Sequence, residues 1–129
     1  MRDGRTEAGN KPVHWMGSSK KDLKAFPDEV TRDMGLTLWA VQQRMTPANA
    51  KPLKGFRGAD VLEIVDRHDS DTYRVVYTVR FRKAVYVLHA FMKKSKQGIK
   101  TLQADIELVH SRLRCAQEDY ARRYPGEQR

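Results

Sequence analysis

The sequence predicts an α+β fold, and three observations carry that prediction. Val30, Met34, Leu38, Val41 and Met45 recur at steps of four, four, three and four, the stripe of an amphipathic helix. Three strand-like segments follow, around Val61–Asp66, Thr72–Val79 and Ala84–Phe91. A second helical stripe, Leu102, Ile106, Val109, Leu113, Ala116 and Tyr120, comes after them. Helices, then an antiparallel sheet, then a closing helix can pack as layers around a shared core.

Each element has a local reason. Residues 1–12 are polar and rich in Gly and charge, and read as a loosely attached arm. A single domain is expected over 13–122, with a polar tail over 123–129. The short apolar run Val13-His14-Trp15 suits an edge strand. Ser18 or Ser19 is placed to cap a first short helix, with Asp22 at its positive end. Pro27 marks the start of the long helix, with Asp28 and Glu29 in its first turn. Gly35 weakens that helix by about 1 kcal/mol relative to Ala and allows a bend. Thr46-Pro47 is the expected stop, because a residue before proline avoids the helical region.

In the second strand Tyr73, Val75, Tyr77 and Val79 alternate with Arg74, Val76 and Thr78. The third is apolar on both faces, as a central strand covered on both sides should be. The polar links HDSD and RFRK are short, which favours antiparallel neighbours. Thr101 is the expected cap of the last helix.

Composition narrows the function. With 25 Lys+Arg against 16 Asp+Glu, the 129-residue chain carries a formal charge of +9. Such an excess favours polyanionic partners, since neutralising phosphates releases counterions. The lone Cys115 rules out an intrachain disulfide and fits a reducing cytoplasm. No apolar run reaches the ~20 residues of a membrane span, and no apolar signal core opens the chain. His14, His68, His89 and His110 form no metal-ligand spacing with Cys115, so neither metal nor cofactor is expected. Glu63 and Asp66, three apart on a strand, face opposite sides and make no carboxylate pair.

The functional signal lies between Lys51 and Lys100. Two basic clusters, Lys51/Lys54/Arg57 and Lys93/Lys94/Lys96/Lys100, bracket the three strands. The GSS..DL..FP opening, the KPLKGF segment, the EI..YRVVYT strands and the VYVLHAF.KKSK.GI element appear in a recognisable order. Together they resemble the phage Gp49-like branch of the RelE/ParE (HigB-like) toxin superfamily, over Val13 to Tyr120. The resemblance implies an N-terminal helical hairpin packed on a small twisted antiparallel sheet, with a C-terminal helix. It also implies a toxin of a type II toxin–antitoxin pair, whose antitoxin is often a helix-turn-helix DNA-binding protein. RelE-like members cut mRNA on the ribosome, whereas ParE-like members poison DNA gyrase. A shared fold does not decide between these, nor against a non-toxic relic that only binds an antitoxin.

Cutting RNA without a metal requires a base for the 2′-hydroxyl, fixed cations for the phosphorane and an acid for the departing 5′-oxygen. By the resemblance, Arg74 matches the phosphate-contacting arginine, and Lys51 and Lys54 match basic residues ahead of the sheet. Lys93, Lys94 and Lys96 match the basic segment after the last strand. RelE places a tyrosine a little further on, where this chain reads QGIK. His89, four residues before Lys93 and with a near-neutral pKa, is the candidate for the unassigned proton transfer. A satisfied structural histidine is the alternative reading of the same residue. The expected catalytic set is therefore Arg74, Lys54, His89 and Lys94, with Lys51, Arg57, Lys93, Lys96 and Lys100 holding RNA.

Overall fold

The computed structural model describes residues 10–58, 60–94 and 103–127. In chain order they form β1 (Val13–Trp15), α1 (Ser19–Lys24), α2 (Asp28–Gln42), β2 (Ala50–Pro52), β3 (Val61–His68), β4 (Asp71–Thr78), β5 (Val85–Lys93) and α3 (Gln103–Arg123). One five-stranded sheet has the order β1-β5-β4-β3-β2. The three long strands run antiparallel to one another, as expected. Two short strands extend the sheet. β2 adds antiparallel to β3, and β1 adds parallel to β5, so the sheet is mixed. β2, which contains Pro52, was not foreseen. The proline is tolerated there because β2 is an edge.

The β3–β4 link turns on Asp69 and Ser70, both at positive φ (51° and 73°). That left-handed pair supplies the twist a two-residue hairpin needs. α2 runs through Gly35 uninterrupted but stops at Gln42, before the expected Thr46-Pro47. Met45 consequently lies outside the helix and is 59 % exposed, whereas Val30, Met34, Leu38 and Val41 are buried. Ser18 takes the cap position of α1, yet its hydroxyl bonds the Asp22 carboxylate (2.7 Å) rather than a backbone N–H.

Two cores result, one on each sheet face. α1 and α2 pack Leu23, Phe26, Val30, Met34, Leu38 and Val41 onto Leu62, Ile64, Tyr73, Val75, Tyr77, Val85 and Val87. On the other face α3 packs Val109, Leu113, Ala116 and Tyr120 onto Val61, Val76, Tyr86 and Leu88. Leu102 and Thr101, expected at the start of this helix, lie outside the described residues. β5 is buried from Val85 through Ala90, because both layers cover it.

The strand pairing of β4 with β5 contains one irregularity. Val76 pairs with His89 but Tyr77 pairs with Val87, so Leu88 is an extra residue in β5. Such a bulge reverses the alternation beyond it. Its carbonyl is not left unmet, since Arg112 Nη1 of α3 donates to Leu88 O (3.0 Å).

Candidate nucleic-acid site

The bulge decides where His89 points. Strict alternation would put it with Val85 and Val87, against α1 and α2. Instead it stands on the α3 face, beside Leu88 and in the row Lys51, Glu63, Val76, His89 across four strands. The next row on that face is Val65, Arg74, Phe91, and the one beyond is Arg67, Thr72, Lys93. Tyr73 and Tyr77 belong to the opposite core, as the alternation predicted.

Two carboxylates organise the cations. Arg74 Nη1 donates to Glu63 Oε1 at 2.6 Å, with both side chains buried. Asp105, in the first turn of α3, bridges β5. It accepts from His89 Nε2 at 2.8 Å on one oxygen and from Lys93 Nζ at 2.9 Å on the other. A carboxylate can only accept, so Nε2 carries the proton and the neutral ring keeps its lone pair on Nδ1. That Nδ1 is buried without a hydrogen-bond partner among the described residues. Phe91 stacks on the imidazole (centroids 4.5 Å apart), and Lys93 Nζ lies 5.4 Å from the Phe91 ring centre.

Burial lowers the His89 pKa, opposed by the hydrogen bond and charge of Asp105. The same burial would raise Asp105, but the hydrogen bonds from His89 and Lys93 overcome it and hold the carboxyl below its usual range. The ring is thus a neutral base aligned by an ionised carboxylate, the relation that orients a proton-transferring histidine.

The other expected residues divide by exposure. Arg74 (4 % exposed) and Lys93 (3 %) are buried and ion-paired, so neither meets solvent as a free phosphate contact in this conformation. Lys51, Lys54, Arg57 and Lys94 are exposed. Lys51 borders Glu63 in β2, and Lys54 and Arg57 lie in the connection that follows. That connection leans on α3, where Phe56 stacks on His110 (centroids 4.0 Å apart) and Gly55 approaches Ile106. With strands about 4.8 Å apart, the row from Lys51 to His89 spans roughly 14 Å. Lys51 and Lys93 therefore share one sheet face, on the outer sides of β3 and β4. Lys96 and Lys100 lie outside the described residues.

Three residues of this site escaped the sequence reading. Asp105 reads only as a first-turn helix acid, and nothing in the sequence links it to β5. Glu63 faces away from Asp66, as expected, but its partner is Arg74. Arg67 shares the face of Glu63 by simple alternation and is exposed, so counting along β3 finds it. No group of three or more His, Cys, Asp or Glu among the described residues has a metal-holding arrangement. None of the helices among those residues is long and apolar enough to cross a membrane.

The comparisons with known proteins agree with this architecture. Residues 21–114 match the phage-derived protein Gp49-like family (DUF891), and the chain belongs to that family. No curated protein matches it. Among solved structures, an arginine-to-alanine double mutant of the Escherichia coli toxin RelE in the free state is similar at a TM-score of 0.52 and 20 % identity. That match covers 81 % of this chain and 96 % of RelE. The RelBE2 toxin–antitoxin complex from Mycobacterium tuberculosis gives a TM-score of 0.45 at 18 % identity, covering 65 % and 99 % of the two chains. The fold is thus RelE-like, as the sequence led us to expect.

Proposed function

We propose that this protein is the toxin of a toxin–antitoxin pair and acts as a metal-independent mRNA endonuclease at the ribosome. The observation that carries the reading is the convergence of His89, Lys93 and Arg74 on one sheet face bordered by Lys51 and by the connection that bears Lys54 and Arg57. Neutral His89, oriented by Asp105, takes the 2′-hydroxyl proton through Nδ1. Arg74 and Lys93 stabilise the charged phosphorane, and the exposed lysines hold the flanking phosphates. Lys54 and Lys94 are the candidates at the departing oxygen. Asp105 also holds Lys93, so a substrate phosphate competes with this carboxylate for that cation. An antitoxin is the natural control on such an activity, and an acidic or helix-turn-helix protein from a neighbouring gene fits the charge.

Induced expression without that neighbour is expected to arrest growth, with mRNA cut at defined positions. His89→Gln should lower the cleavage rate by roughly 10²–10⁴-fold while leaving RNA binding in place. Growth arrest with intact mRNA and gyrase-linked DNA breaks would transfer the protein to the gyrase-directed class. Harmless expression would leave only an antitoxin-binding relic.

A further inference from the structure

At the Val85 end of β5, a separate polar cavity of about 520 Å³ opens between four parts of the chain. Its lining is Asn10, Lys11 and Pro12 ahead of β1, Arg44 after α2, Arg82 and Lys83 between β4 and β5, and Tyr124 after α3. β5 separates the two regions: four residue steps from Val85 to His89 span roughly 13 Å. Nothing in the proposed RNA chemistry uses these residues.

The lining is held in place. Lys11 N–H donates to Gln42 O (3.0 Å), and Gln42 Nε2 returns a hydrogen bond to Lys11 O (2.7 Å), tying the segment before β1 to α2. Lys83 N–H donates to the Tyr120 hydroxyl at 3.2 Å. Arg82 is oriented by the Glu127 carboxylate, to which both Nε and Nη2 donate at 3.1–3.2 Å. The Tyr124 hydroxyl is fixed 2.9 Å from His14 Nε2. Lys11 is buried, and no carboxylate pairs with it among the described residues. Its stem is covered while the partly desolvated ammonium still reaches solvent, where an anion can meet it.

We propose that this cavity is a second anion site, which takes the phosphate of a nucleotide, free or within an RNA chain, and sets the base against Tyr124. Lys11, Lys83 and the remaining Arg82 donors supply the charge-assisted hydrogen bonds that a phosphate needs, against the Glu127 carboxylate that lies 4.0 Å from Lys83 Nζ. The volume falls within the ~300–1,000 Å³ range of small-molecule pockets, so a nucleotide fits where a bare phosphate would leave space. A tyrosine at the wall offers a stacking surface for any base. Burial, and then the charge of Arg44, depress the Lys11 pKa to about 8, and a bound phosphate would relieve that cost.

The experiment is a titration of the full chain with AMP, adenosine and inorganic phosphate, followed by amide chemical shifts. Saturable shifts at Lys11, Lys83 and Tyr124, with AMP tighter than phosphate and adenosine silent, are expected. Lys11→Met and Lys83→Gln, the second at a half-exposed position that folding tolerates, should each weaken AMP at least about tenfold. A short RNA with and without a 5′-phosphate then separates the sources. Binding of AMP alone identifies a free nucleotide, and phosphate-dependent RNA binding identifies a chain end. Equal binding of adenosine, wild-type affinity in both variants, or no saturation would overturn the site. His89→Gln should leave all of these titrations unchanged, which keeps this outcome independent of the endonuclease reading.

Discussion

The two faces of this sheet solve the same burial problem with different chemistry. Toward α1 and α2, the buried strand residues are aliphatic side chains, Ala90 and two tyrosines. Toward α3 the face is wholly apolar only around Val61, Tyr86 and Leu88, and elsewhere apolar residues such as Val76 and Phe91 alternate with ionisable ones. There it buries Glu63, Arg74, His89 and Lys93. Buried ion pairs are weak sources of stability, because desolvation consumes most of their attraction. A fold that needed only a core would repeat the first face. The second carries ionisable groups at a cost, and such groups cluster where chemistry is done.

The largest effect should come from splitting the Glu63–Arg74 pair. Arg74→Ala leaves a buried carboxylate without this guanidinium and should cost about 3–5 kcal/mol in denaturant unfolding. Growth arrest lost in that variant alone would therefore say little. The informative protein is Glu63→Leu with Arg74→Met, which should recover most of the stability. If it folds and is harmless, Arg74 serves the site; if it folds and still arrests growth, the pair belongs to the scaffold.

The apolar face supplies the opposite case. Ile64→Ala removes fully buried volume and should destabilise by about 2–5 kcal/mol. Cleavage per folded molecule should stay unchanged, because Ile64 faces α1 and α2. A lowered rate at full folding would show that the two faces are coupled.

A smaller effect should appear in the pH dependence of stability. The His89 pKa is lowered in the fold, so below about 6.5 the unfolded chain binds the proton more readily. Stability contributed by neutral His89 is present above that pH and is lost as pH falls toward the folded value. His14 is lowered by burial as well and adds the same sign. Unfolding titrations of His89→Gln should show a shallower acid slope, with the His14 share retained. Asp105, also lowered, adds a further loss only below about pH 4. An unaltered slope in the variant would mean that His89 is not a buried neutral base.

The smallest change is expected at the rim. Replacing Lys51, Lys54 or Arg57 with Gln should flatten log affinity against log salt by roughly 0.7 per lost contact to single-stranded RNA. Stability should barely move, since all three are exposed. A slope that survives the triple replacement would place RNA elsewhere on the molecule.

Local rules accounted for much of this protein. Period and alternation located α2, α3 and the three long strands, because each element must bury one continuous apolar stripe or face. They also separated Tyr73 and Tyr77 from Arg74. The end of α2 was misplaced because Arg44, at φ 69°, terminates the helix without the proline that the sequence advertises. What only the tertiary structure decided is the content of the site. Leu88 as an extra residue turns His89 to the α3 face, and a bulge leaves no mark in an all-apolar run. Asp105 meets His89 and Lys93 only because α3 folds back over the sheet, and Glu63 meets Arg74 only through strand pairing. Charge composition could announce a polyanion partner. Which cations are buried, which carboxylates hold them and which remain exposed depend on contacts between residues distant in sequence, and no local pattern encodes those distances.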